Sequence, residues 1–177
     1  METKKIISLL SYLKNEKCEI AIQDLDIIDD CILSVDGWEY YVLDEEEREE
    51  IFKEQQQELW NDMGLDAFSS SFVHEIINYC LNDNDLEYLE QNEFCYYDEE
   101  NDVNISIAEA EGYTNYIEYI YEQEGAEMAT KVINNYNLLD IDALCYRVAM
   151  WDGYAPTLAR YDGEEIELCE YYAYLIG

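Results

Sequence analysis

The side chains with chemistry to offer in this chain are carboxylates. Between Glu54 and Thr130 stand twenty Asp and Glu residues and not one Lys or Arg. The densest part runs through Asp83, Asp85, Glu87, Glu90, Glu93, Asp98, Glu99, Glu100, Asp102, Glu109, Glu111, Glu118 and Glu122. Acids three or four positions apart on a helix stand about 5–6 Å from each other, close to the interval between successive phosphates of one nucleic-acid strand. A solvated helix face ordinarily intersperses Lys to form i,i+4 pairs, and this stretch does without them. Proteins that bind nucleic acid carry a basic channel fitted to rows of phosphates. A folded surface with carboxylates in similar rows would occupy such a channel, associating fast and weakening with salt. The expected partner is therefore a basic nucleic-acid-binding protein, while nucleic acid itself and anionic membranes would be repelled.

Other chemistries are weaker fits. Residues 98–109 place acids at positions 1, 3, 5 and 12 of a calcium-loop pattern, with Ile105 at the apolar position 8. Val103, however, stands where such a loop needs Gly for its sharp turn, so a calcium- or magnesium-binding protein is an alternative reading only. Pairs such as Glu99/Glu100 or Asp162/Glu164 have the residue types for acid–base work, but in so acidic a chain any pair qualifies. No GxSxG, P-loop, HExxH or GxGxxG pattern is present. His74, beside Val73 and Ile76, reads as a packing residue, and Ser69-Ser70-Ser71 as a loop and helix cap. The six cysteines stand singly without a CxxC pair, which suits free thiols in a reducing cytosol and, with one histidine, argues against zinc. No catalytic residue, metal ligand or cofactor is expected. An uncharacterised enzyme or small-ligand binder is the remaining alternative.

The bulk properties agree with a folded polyanion. A formal net charge of −34 on 177 residues is several times the value of about 2–8 that keeps a small domain soluble. Such an excess costs stability through self-repulsion and calls for a function, a salty environment or a bound cation. Eighteen Ile and twelve Asn, with little Gly and Ala, suit an AT-rich genome better than a halophile. Hydrophobic residues at 49% make a core affordable and set the chain apart from disordered acidic tails. The length suits one compact domain, with lobes at 1–64 and 65–177 as a finer division. No apolar run approaches the length of a membrane span, and residues 1–20 lack a signal-peptide pattern, so a cytoplasmic location is expected.

The elements that must position the acids follow from local signals, and together they predict an α+β fold. Residues 3–14 have the apolar spacing of an amphipathic helix. Cys31–Val35 and Trp38–Leu43 flank Asp36-Gly37, a hairpin signal. Asp44 and Glu47 stand at capping-box spacing at the head of a helix that stops at Gly64. Helices are predicted over 72–81, 86–93, 113–124, 126–136 and 140–151, with the Asn-Asp-Asn-Asp stretch 82–85 between the first two, 98–102 as an acidic loop and 94–97 as a short strand. Near the end, 157–161, 165–168 and 171–176 read as a small antiparallel sheet turning at Asp162-Gly163. Most of Tyr113, Tyr116, Tyr119 and Tyr121 read as core or half-buried, with one or two left as contact anchors. Arg147 reads as a salt bridge orienting a helix against the terminal sheet.

Ile141-Asp142, Tyr146-Arg147, Asp152-Gly153 and Tyr161-Asp162-Gly163-Glu164-Glu165 form the most distinctive stretch. It resembles the carboxy-terminal part of ArdA-type antirestriction proteins, acidic DNA mimics of phages, plasmids and transposons. Arg147 and Gly153 keep that family's interval, whereas the Tyr–Arg spacing is one residue shorter and Val148-Ala149 replace Asp-Leu. Gly37-Trp-Glu-Tyr-Tyr-Val-Leu-Asp-Glu-Glu-Glu47 and the same carboxy-terminal end are also similar to a group of small phage proteins. There, Tyr154-Ala155 replaces an Arg-Gly-His portion. The resemblances cover about a third of the chain and imply a phage or mobile-element protein that inhibits a host restriction or CRISPR effector. They also imply that a two-fold dimer would lengthen the acidic surface.

Overall fold

The computed structural model describes residues 3–16, 24–160 and 162–177, so the place of Tyr161 lies outside the described residues. In chain order the elements are helix α1 (Thr3–Glu16), strands β1 (Leu25–Ile27), β2 (Ile32–Val35) and β3 (Trp38–Leu43), and helix α2 (Glu45–Met63). A 3-10 turn (Gly64–Ala67) leads to α3 (Ser70–Tyr79), α4 (Asp83–Asn92), β4 (Cys95–Asp98), β5 (Val103–Ser106) and α5 (Ile107–Glu111). Then come α6 (Tyr116–Glu124), α7 (Ala126–Asn135), α8 (Ile141–Asp152), α9 (Ala155–Leu158), β6 (Ile166–Leu168) and β7 (Tyr171–Leu175). The fold is α+β. The chain forms two compact units, Met1–Gln55 with Val148–Gly177, and Gln56–Arg147. This division differs from lobes at 1–64 and 65–177 because β7 pairs with β3, which carries the end of the chain into the amino-terminal sheet.

The first unit is built on an antiparallel sheet of order β1-β2-β3-β7-β6. Asp36 and Gly37, at φ 51° and 85°, form the left-handed two-residue turn that matches strand twist, and Val35 pairs with Trp38 across it. Alternation then sends Leu33, Val35, Tyr40 and Val42 to one face, where Leu9 and Leu13 of α1 cover them together with Leu168, Tyr171 and Ala173. On the other side of β7, Tyr172 stacks on the Arg48 guanidinium at 3.6 Å, with Tyr154 at 4.2 Å. Glu165 and Glu45 each approach Arg48 at 3.5 Å. The capping box forms in both directions: Glu47 N–H donates to Asp44 Oδ1 at 3.0 Å, and Asp44 N–H to Glu47 Oε2 at 2.8 Å.

Two expectations for the carboxy-terminal end are corrected here. The predicted strand over 157–161 is helical at Ala155–Leu158, with Pro156 in the first turn, where its fixed φ favours a helix start. Asp162-Gly163 is a turn, with Glu164 N–H donating to Asp162 Oδ1 at 3.0 Å and Gly163 at φ 71°, but it joins no two strands. The hairpin turns instead at Cys169-Glu170, between the paired Leu168 and Tyr171.

The second unit is helical around Leu65, Ile76, Ile77, Ile117, Ile133, Leu138 and Leu144, all nearly or fully buried. Gly64 ends α2 at φ 57°, and a Cβ there would come within 2.2 Å of the Thr130 side chain. Thr130 Oγ1 in turn accepts from Leu65 N–H at 3.0 Å. Trp60 Nε1 donates to Asn134 Oδ1 at 2.9 Å, closing the other side of the same contact. The salt bridge expected of Arg147 forms with a helix of its own unit. Arg147 pairs with Glu75 of α3 at 3.1 Å and lies over the Tyr79 ring at 4.2 Å, a tie between α8 and α3. Asp152 closes α8, and Gly153 follows it at φ 76°.

Candidate acidic interaction surface

All thirteen acids singled out above fall in the second unit. The Asn-Asp-Asn-Asp segment belongs to α4 from Asp83 onward. Asn82 caps α4, its side chain accepting from Asp85 N–H at 3.5 Å, so Asp83 and Asp85 occupy the first turn, where the helix dipole favours negative charge. Glu87 and Glu90 continue one side of that helix. Burial pushes the Glu90 carboxyl above its ordinary value, although Tyr116 N–H donates to it at 2.6 Å and partly offsets the shift. Glu93 accepts from the Tyr136 hydroxyl at 2.8 Å.

The segment that matched a calcium loop is a β-hairpin followed by a helix. Val103–Ser106 pairs with Cys95–Asp98 in antiparallel register, so no continuous twelve-residue loop exists to wrap an ion. Asp98 organises the turn, accepting from Glu100 N–H at 3.0 Å and from Asn101 Nδ2 at 2.7 Å. These bonds, the Asn101 side chain first, hold its carboxyl below the usual range. Asp102, at φ 57°, accepts from the Tyr97 hydroxyl. Glu109 and Glu111 lie on α5. Glu118 accepts from Thr114 N–H at 2.7 Å and donates its own N–H to Asn115 Oδ1 at 2.9 Å, a cap at the head of α6. Glu122 approaches His74 Nε2 at 3.9 Å.

Ten of these acids are exposed, and Glu90, Asp98 and Glu118 are half-buried. Among the described residues none of the thirteen is ion-paired to a Lys or Arg. The carboxylates of Asp83, Asp85, Glu99, Glu100, Glu109 and Glu111 project into solvent, whereas Glu90, Asp98 and Glu118 serve local structure. Among the described residues no group of three or more His, Cys, Asp and Glu side chains is placed to hold a metal.

The expectation that Tyr113, Tyr116, Tyr119 and Tyr121 are half-buried matches their burial. Tyr116 stacks on Phe94 at 3.9 Å. Sequence reasoning did not find the exposed rings beside the acids, Tyr88, Tyr96 and Tyr97. A signal was available for one of the strand pair: adjacent strand residues face opposite ways, so Tyr96 and Tyr97 cannot share a buried face. No described helix is long and apolar enough to cross a membrane. No protein-family model, curated protein or solved structure matches the chain.

Proposed function

We propose that this is an anti-defence protein of a phage or mobile element, which inhibits a nucleic-acid-binding host enzyme by filling its basic site with an acidic surface. The observation that carries the reading is the exposure of ten acids between Asp83 and Glu122 without a Lys or Arg partner among the described residues. A surface that served solubility alone would gain stability from interspersed cations. This one forgoes them over an uninterrupted stretch, at a cost in self-repulsion, and the uncompensated field draws in a basic partner. The carboxy-terminal resemblance to ArdA-type antirestriction proteins adds to the same reading.

The test is capture of the partner by tagged protein from a defence-competent bacterial lysate, with release by salt and competition by nucleic acid. Glu99, Glu100, Glu109 and Glu111 have no structural duty and are reversed to Lys together. The expected result is recovery of a restriction or CRISPR effector by the wild type, its release at high salt, and loss of capture and inhibition in the variant. Inhibition that survives the reversal would show that this surface is not the means.

A further inference from the structure

We infer that the surface imitates a single strand rather than a duplex, because the β4–β5 ribbon adds base-like rings to its phosphate-like charges. The inference rests on the reading above and narrows the partner to an enzyme with a single-strand-binding channel.

Tyr96 and Tyr97 are consecutive on β4, so their side chains leave opposite faces of the ribbon. A ribbon packed against its unit on one face would hide one of them. Here Tyr96 is 50% exposed and Tyr97 57% exposed. Val103, paired with Asp98 across the ribbon, is 47% exposed. Scattered apolar residues on a surface need no explanation, but three within one short hairpin form a feature. Both rings stand within a few residues of Asp98, Glu99, Glu100 and Asp102. The Tyr97 hydroxyl is bound by Asp102, which restricts the ring before any partner arrives and lowers the ordering cost of contact.

A duplex keeps its base faces stacked inside and shows only phosphates and groove edges to a protein. A site shaped for a duplex therefore has no place for rings set among the acids. A single-strand channel does, since it joins a basic groove to aromatic and Arg planes on which bases stack. Tyrosine rings take the same stacking and cation–π contacts. An acidic ribbon with a ring on each face thus matches both halves of that chemistry.

The test uses the purified effector recovered by salt-sensitive capture, loaded with a labelled 30-nucleotide single strand or with the corresponding duplex. The protein is titrated in, and displacement of each probe is read by fluorescence anisotropy. The single strand is expected to leave at a lower protein concentration than the duplex. Tyr96→Ser/Tyr97→Ser is expected to need about tenfold more protein or higher to displace the single strand, given the worth of one stacked ring. Tyr96→Phe/Tyr97→Phe, which keeps the rings and loses the bond to Asp102, is expected to displace it at a protein concentration closer to that of the wild type than of the serine variant. Circular dichroism of all three proteins establishes that these exposed positions leave the fold intact. Preferential displacement of the duplex, equal displacement of both probes, or an unimpaired serine variant would overturn the inference while leaving nucleic-acid mimicry standing. Binding to the effector with neither probe displaced would overturn the mimicry reading and the inference with it.

Discussion

Lys5 of α1 donates to both carboxylate oxygens of Glu47, the residue that also closes the capping box of α2. One carboxylate thus fastens the amino-terminal helix and starts the next one. Cys31 Sγ lies 3.6 Å from the same group. Burial first, and then the Glu47 charge, push that thiol up to about 11, so it stays protonated and unreactive at neutral pH. Lys5 is only 3% exposed, and among the described residues Glu47 is its ion-pair partner.

Glu47→Ala removes a cap and leaves a buried ammonium unpaired. The expected cost is about 3–5 kcal/mol, read as a lowered urea midpoint. Lys5→Met/Glu47→Gln, which removes both charges and keeps an acceptor for the cap, is expected to lose markedly less.

Cys169 turns the β6–β7 hairpin at φ 61°, a backbone region that costs an L-residue about 1–2 kcal/mol and suits glycine. The side chain is exposed, so little contact is lost on its removal. Cys169→Gly is expected to stabilise the protein by about 1 kcal/mol or less after the added chain entropy of glycine, seen as a raised urea midpoint with an unchanged slope.

Glu90 gives a pH dependence of defined sign. Burial raises its carboxyl above the ordinary value of 4.5, so the folded state holds this proton more tightly than the unfolded chain. Its contribution is most favourable below that ordinary value and is lost as pH rises through the raised one. Glu90→Gln keeps an oxygen for Tyr116 N–H and carries no charge. Comparing urea midpoints from pH 4 to pH 7, the variant should show a smaller loss of stability than the wild type over that window.

Arg147 ties α8 to α3 through Glu75 and the Tyr79 ring. Arg147→Lys keeps the charge and loses the flat stacking surface, and is expected to cost about 1 kcal/mol in a double-mutant cycle with Tyr79→Leu. If the tie is the ion pair alone, the cycle will show no coupling to the ring.

The self-repulsion of a −34 protein is itself measurable. Raising sodium chloride from about 0.02 M to about 0.5 M shortens the screening length from roughly 20 Å to below 5 Å. Thermal denaturation is expected to shift upward, the opposite of the trend for a fold held by surface ion pairs. The same salt is expected to weaken partner binding, so stability and affinity should move in opposite directions.

The sequence by itself determined the features whose causes are local. The Asp36-Gly37 turn, the Asp44–Glu47 capping box and the stop at Gly64 each depend on residues a few positions apart, and all three form as expected. Exposure of the acids was legible for a related reason. A carboxylate is costly to bury without a cation, and Glu54 to Thr130 supplies no Lys or Arg. Tertiary structure decided what depends on distant partners. The pairing of Tyr40 with Leu175 joins two hairpins into one sheet through backbone hydrogen bonds that carry no residue code. Once that sheet sets the path of the chain, β6 and β7 turn at Cys169-Glu170 with neither glycine nor asparagine to announce it. The choice of Glu75 as the Arg147 partner, and of Tyr96 and Tyr97 as exposed rings, likewise rests on how α3, α4 and the β4–β5 ribbon pack. Burial is a property of the neighbours that arrive, and the residue alone does not specify them.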